Sequence, residues 1–294
     1  MINSEVRVPI TLKPGPLLGS GLRLARRVLF GGLRLIRTSP SPDAYVVLLY
    51  HDIAIEPEPR LICVSVNRFR QHVSRLVRHV QRSGGSSTDG KKAPEKVPPH
   101  VLLTFDDAYM GTLEYAADVI EEAELPAQIF VVGRWSNRGY AGYTEGTAGI
   151  STNHRRSCLC PSDIRALRQR GFQFGSHGWS HSRLTQLGKK SLRQELLASR
   201  RWLEDVLGEA VDTFAYPYGD FDPAVVEAVG EAGFKIAYTT VSGFYDYETH
   251  PLMIPRIYVH QSFGPAEIDS MLQRWYPYVS ALCERIKAHV RVDL

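Results

Sequence analysis

Val101-Leu102-Leu103-Thr104-Phe105-Asp106-Asp107 is the stretch that decides the fold. An apolar and β-branched run leads straight into two adjacent carboxylates. Such a run reads as a parallel strand buried on both faces. Its acids then stand at the C-terminal end of the strand, where the open positions of α/β folds gather. Two neighbouring aspartates repel each other, so the pair is costly unless a cation or a proton is shared between them. One metal ion resolves the conflict, with one carboxylate as ligand and the other left to take a proton.

Outward from this strand, the chain alternates. Upstream, residues 45–50 read as the first core strand, ending in His51-Asp52, and residues 67–82 as an amphipathic helix through Phe69, Val73, Leu76, Val77 and Val80. Downstream the pattern predicts helix 112–124, strand 128–132, helix 161–170, strand 172–176, helix 191–207, strand 213–215, helix 223–231 and strands 235–239 and 254–260. Helical segments around 266–274 and 279–290 end the chain. Residues 83–99 and 134–160 lack periodicity and read as long loops. Strands alternating with helices imply a parallel sheet. About seven of them suit an α/β fold of the distorted (β/α) barrel kind.

Each polar cluster falls just past a predicted strand end: His51, Asp106 with Asp107, His177 with His181, and Tyr216 to Gly219. In a barrel these positions converge on one mouth. The spacing of His177 and His181 brings two imidazoles together if the segment makes one helical turn. A His-x-x-x-His alone is a weak signal. Beside an Asp-Asp strand end it becomes a three-ligand metal site with room for water.

With these motifs the chain resembles the carbohydrate esterase family 4 polysaccharide deacetylases. The resemblance spans roughly residues 45–260 and rests on Thr104-Phe105-Asp106-Asp107, on Ser176-His177 through His181, and on Phe214-Ala215-Tyr216-Pro217-Tyr218-Gly219. It implies that Asp106 is the general base and that Asp107, His177 and His181 hold one divalent metal. Zinc is the first candidate, while iron, cobalt and nickel accept the same ligands. It further implies that a water made nucleophilic by that cation attacks the amide carbonyl of an N-acetyl group, with the backbone N–H of Tyr218 helping at the oxyanion.

Two departures refine the resemblance. The family's arginine, two positions before the motif proline, is replaced by Ala215, and no late Leu-x-His motif follows Tyr238. Both departures are similar to the poly-N-acetylglucosamine deacetylase branch, whose motif order is circularly permuted. There the acid histidine comes from an early strand, read here as Leu48-Leu49-Tyr50-His51-Asp52, so that His51 would protonate the departing amine. The alternative for His51 is a hydrogen-bonded core histidine. Arg256, in Ile254-Pro255-Arg256-Ile257, is a candidate to replace the missing arginine and orient Asp106. Trp179, Tyr109, Tyr216 and Tyr218 are candidate platforms for sugar rings, or simple packing at the mouth. Asp220 and Asp222 read as turn and cap residues ahead of Pro223.

The N-terminus has a different character. Residues 1–40 hold seven arginines or lysines against Glu5 alone, which leaves the rest of a chain of net charge +4 slightly acidic. That body shows no basic surface of the kind nucleic acid requires. Between 17 and 37, Leu18, Leu22, Leu29, Leu33 and Ile36 share one face, opposite Arg23, Arg27, Arg34 and Arg37. Such a helix either lies on an anionic membrane surface or packs with its arginines in water. Arginines interrupt every early apolar run and no run of about 18 apolar residues occurs, so the expected location is the cytoplasm or its membrane face. Four cysteines in 294 residues make no disulfide framework and read as reduced thiols.

The expected layout is a basic extension over 1–42, the barrel over 43–265 and a C-terminal helical segment over 266–294 packed on it. The expected function is metal-dependent deacetylation of N-acetylhexosamine units in a polysaccharide, an oligosaccharide or a lipid-linked glycan. The alternatives are a deformylase or other sugar-amide deacylase, and a catalytically silent glycan-binding relative.

Overall fold

The structure, a computed structural model, describes residues 45–56, 62–83, 101–139, 157–245, 248–273, 275–276 and 279–280. The basic extension, the proposed helix over 17–37, nearly all of the 83–99 loop and most of the 279–290 helix lie outside the described residues.

The chain opens with β1 (Val46–Tyr50), every residue of which is buried. Two short strands, β2 (Asp52–Ala54) and β3 (Cys63–Ser65), pair in parallel with each other. Helix α1 (Val66–Ser83) follows and buries Phe69, Val73 and Leu76 at helical spacing. Then comes β4 (Val101–Phe105), the strand that carries the acids. A π-helical turn over Thr112–Ala116 leads into α2 (Ala117–Glu122), so the expected single helix over 112–124 is two different helical turns. After β5 (Ala127–Val131), α3 (Gly133–Arg138) forms inside the stretch expected to be an irregular loop. Its length of six residues is too short to show a helical period in sequence.

The remaining elements are α4 (Pro161–Gln169), β6 (Gln173–Ser176), α5 (Lys189–Leu207), β7 (Thr213–Ala215), α6 (Pro223–Glu231), β8 (Ile236–Tyr238), β9 (Ile257–Tyr258) and α7 (Pro265–Met271). Asp222 caps α6 by accepting the Val225 N–H at 2.8 Å. Helix α7 packs on α1, where Arg75 pairs with Asp269 at 3.4 Å.

Seven strands form one sheet in the order β8-β7-β6-β5-β4-β1-β9, with every neighbouring pair parallel. All their C-terminal ends therefore face one way. The segment 254–259 curls this sheet. Ile254 bridges to Tyr238 on one edge, while Ile257 and Tyr258 pair with Leu48 and Leu49 on the other. The expected strand over 254–260 is thus split between two neighbours, and only Ile257–Tyr258 is a strand proper. Arg256 sits between the two attachments and points inward, fully buried. A distorted (β/α) barrel results, closed by a strand that divides itself between its edges.

Candidate active site and metal centre

At the end of β4 the two aspartates part. Asp107 and Ala108 both take left-handed backbone angles, with φ of 72° and 51°. Such conformations cost non-glycine residues on the order of 1–3 kcal/mol each and persist where the surroundings demand them. The turn places Asp107 against two imidazoles and leaves Asp106 against a guanidinium.

Arg256 donates from its two terminal nitrogens to the two oxygens of Asp106, at 2.7 Å each. Its other hydrogen bonds hold it in place. Nε donates to the Thr239 carbonyl at 2.9 Å, and one Nη donates to Thr104 Oγ at 3.2 Å. Thr104 in turn donates to the Leu48 carbonyl at 2.9 Å. Burial pushes the Asp106 carboxyl up, but the charge of Arg256, the nearby His177 and the Arg256 hydrogen bonds outweigh it and hold the group at about 2. Asp106 is a carboxylate throughout the physiological range.

His177 and His181 come together differently from expectation. Residues 177–181 form an irregular loop, not a helical turn, with Gly178 at φ 81° and His181 at φ 60°. The two rings nevertheless lie 4.9 Å apart. His177 Nδ1 donates to the Ala215 carbonyl at 2.8 Å, which fixes the tautomer and leaves the Nε2 lone pair available. The Nε2 atoms of His177 and His181 stand 3.7 and 3.4 Å from Asp107 Oδ1. Ligand atoms at zinc-like bond lengths around a tetrahedral ion stand roughly 3.4 Å apart. Burial lowers the pKa of both imidazoles, and His177 lowers that of His181 further, so both are neutral, the form that binds a metal. Nδ1 of His181 is buried without a hydrogen-bond partner among the described residues. The donor set fits one divalent cation, held by Asp107, His177 and His181.

The loop is braced from outside. Glu195, buried on α5, accepts from the Ser180 N–H at 2.6 Å and from Ser180 Oγ at 3.0 Å. Gly178 is needed where it stands, since a Cβ there would lie 3.1 Å from Glu195 in a left-handed conformation. The first amides of α3 add two more ties, Gly133 N–H to the Gly178 carbonyl and Arg134 N–H to the Trp179 carbonyl. Trp135, in the same helix, lies 4.9 Å from the His181 ring. Sequence reasoning missed both residues. Trp135 stands just past the end of β5, the position rule applied elsewhere. Glu195 is an acid on the inner stripe of α5, with Leu192, Leu196, Ser199 and Leu203.

The other expected residues divide. His51 is half-buried at the end of β1, its ring edge-on to Tyr258 at 5.7 Å, and its charge reaches both Asp106 and His181. Tyr218, at φ 60°, lays its ring 4.4 Å from that of His181. Tyr216 is not a sugar platform: it is wholly buried, packs on Phe214 and Phe221, and donates its hydroxyl to the Leu252 carbonyl at 2.9 Å. Tyr109 is likewise a core residue, clustered with Val132, Trp135 and Cys158. Trp179 packs over Gly133 and beside Trp202, at the seam of α3 and α5.

Residues 93–237 match the family model described as polysaccharide deacetylase. Those residues carry a polysaccharide deacetylase domain. Among curated relatives, chitin deacetylase 1 of Cryptococcus neoformans is 25% identical over 152 residues, covering 50% of this chain and 28% of that protein. The peptidoglycan-N-acetylglucosamine deacetylase PgdA of Listeria monocytogenes is 23% identical over 176 residues, covering 59% and 32%. The chain spans about half or less of the length of the curated relatives it matches. Solved structures share the fold. The Streptococcus pyogenes deacetylase PplD superposes with a TM-score of 0.63 at 19% identity, covering 79% of this chain and 100% of that one. IcaB from Ammonifex degensii does so at 0.60 and 22% identity, covering 78% and 97%.

Proposed function

We propose that this polysaccharide deacetylase family member hydrolyses the N-acetyl amide of N-acetylhexosamine units in a polysaccharide, an oligosaccharide or a lipid-linked glycan, using one divalent cation. Zinc is the first choice. The observation that carries the reading is a carboxylate, Asp106, held by Arg256 beside a three-donor set to which it does not belong. A purely structural ion pair would not need two neutral imidazoles and a strained second aspartate next to it.

When bound, the cation supplies the Lewis acidity that makes water acidic and polarises the amide carbonyl. Asp106, fixed by two hydrogen bonds, is oriented to take a proton on its carboxylate as water adds to the carbonyl carbon. The backbone N–H of Tyr218 would help stabilise the developing oxyanion. His51 delivers a proton to the amine nitrogen as the C–N bond breaks. Acetate and a free amino sugar result. The place of His51 at the end of β1, ahead of the Asp-Asp pair in the chain, supports the permuted motif order of the poly-N-acetylglucosamine branch.

Acetate release from a panel of N-acetylated glycans, with chelator and after zinc, iron, cobalt or nickel is restored, tests the reading. Metal-dependent acetate is expected. Formate from N-formyl sugars without acetate would move the chain to the deformylases, and glycan binding without any release would make it a silent relative. For residues 17–37, contact with an anionic membrane face is part of the same proposal, tested by binding to phosphatidylserine vesicles.

A further inference from the structure

Arg183 lies two residues beyond His181 and is half-buried. Its guanidinium carbon is 4.5 Å from the centre of the Tyr218 ring, and that ring is 4.4 Å from the His181 ring. Stacking on an aromatic face holds a guanidinium in one plane with its N–H groups free to donate. Some other arginines of the described barrel meet acids: Arg168 meets Glu209, Arg170 meets Glu121, Arg200 meets Glu204 and Arg256 meets Asp106. Among the described residues, Arg183 has no such partner. The neighbouring acid Asp220 is engaged elsewhere, by the Thr185 N–H at 3.2 Å and Thr185 Oγ at 2.7 Å.

The site has no internal use for this charge. Asp106 is matched by Arg256, and Asp107 by the cation its donor set fits. A positive group held against these aromatics, with no counter-charge among the described residues, suits a substrate that brings its own anion.

We propose that Arg183 is a specificity-determining residue that reads an anionic group, a carboxylate or a phosphate ester, on the glycan next to the N-acetylated sugar. The inference rests on the deacetylase reading above. Planar N–H donors match either oxyanion in a two-point contact, and the stacked pose spares the ordering that a free side chain would need.

The test compares kcat/KM for acetate release from three substrates: neutral tetra-N-acetylchitotetraose, an N-acetylheparosan tetrasaccharide with its uronate carboxylates, and N-acetylglucosamine 1-phosphate. A preference of about tenfold or more for a charged substrate is expected, weakening as salt is raised. Arg183→Gln should cut that preference by about tenfold, and Arg183→Lys should keep part of it. Which charged substrate suffers identifies the carboxylate or the phosphate as the group read. An equal loss on neutral and charged substrates, or an unchanged preference, overturns the proposal. Calorimetric binding of the two charged sugars to the chelated protein gives a readout apart from turnover, with the preferred one expected about tenfold weaker for Arg183→Gln. No acetate from any substrate, with binding that still depends on Arg183, would sink the deacetylase reading but support the anion-reading role. Binding indifferent to Arg183 would sink this inference alone.

Discussion

Asp106 meets a guanidinium that the barrel already provides, whereas Asp107 meets two imidazoles at separations of 3.4 and 3.7 Å, which suit a shared cation better than direct hydrogen bonds. Two identical side chains, adjacent in sequence, have been given opposite surroundings. On one side Thr104, Thr239 and Arg256 form a network complete within the protein. On the other, one carboxylate and two imidazoles converge, their ligand atoms within 4.8 Å of one another. The lesson is that backbone geometry can part an acid pair: a left-handed turn at Asp107 leaves one carboxylate on a guanidinium and sets the other beside two imidazoles.

The division can be broken most directly at the base. Asp106→Asn should lower kcat by about 10³-fold, the scale of general-base catalysis, with the fold intact by circular dichroism. A rate within a factor of about ten of wild type would show that the proton goes elsewhere. Arg256→Met is the next largest change. It strands a buried carboxylate, so denaturant unfolding should reveal a loss of about 3–5 kcal/mol. A loss below about 1 kcal/mol would mean that the complete half is not held by this pair.

A second buried hydrogen-bond chain starts from the end of β1, and a pH titration tests it. Behind His51, Tyr50 OH donates to His72 Nδ1 at 3.2 Å, while His72 Nε2–H donates to the Phe263 carbonyl at 2.8 Å. Burial lowers the His72 pKa from 6.5 to about 4. The unfolded chain therefore takes up this proton first as pH falls. The stability tied to a neutral His72 is whole above pH 6.5 and is lost as pH falls through about 4. Unfolding free energy should drop by about 3 kcal/mol over that window, and His72→Gln should flatten the drop. An unaltered profile in the variant would assign the acid sensitivity to other groups.

The smallest effect is expected on the Asp107 side. Glu195→Ala frees the Ser180 N–H and the 177–181 loop, and zinc affinity should weaken by about 10–100-fold. Undiminished affinity would show that the loop keeps its shape without this brace.

Much of this was legible in the chain. The strands announced themselves because a parallel sheet covered on both faces needs unbroken apolar runs, and Val101 to Phe105 is such a run. The acids and histidines were legible because each stands at a strand end. The shape of the histidine loop was not, since a spacing of four suits a helical turn and also a loop with two left-handed residues. Tyr216 and Tyr218 looked alike in sequence, yet one is sealed in the core and the other lies on His181. Arg256 could be named as a partner for Asp106 from the missing motif arginine, but the geometry of that pair depends on how the sheet closes, with Ile254 on one edge and Ile257 on the other, which no local pattern around residue 256 encodes.

Calorimetric titration of zinc into the wild type, Asp106→Asn and Asp107→Asn separates the two aspartates most directly. One ion per chain is expected for the wild type, with affinity changed by no more than a few-fold in Asp106→Asn and reduced by at least about 100-fold in Asp107→Asn. Equal losses in both variants, or no bound ion in the wild type, would contradict the assignment of one aspartate to the proton and the other to the metal.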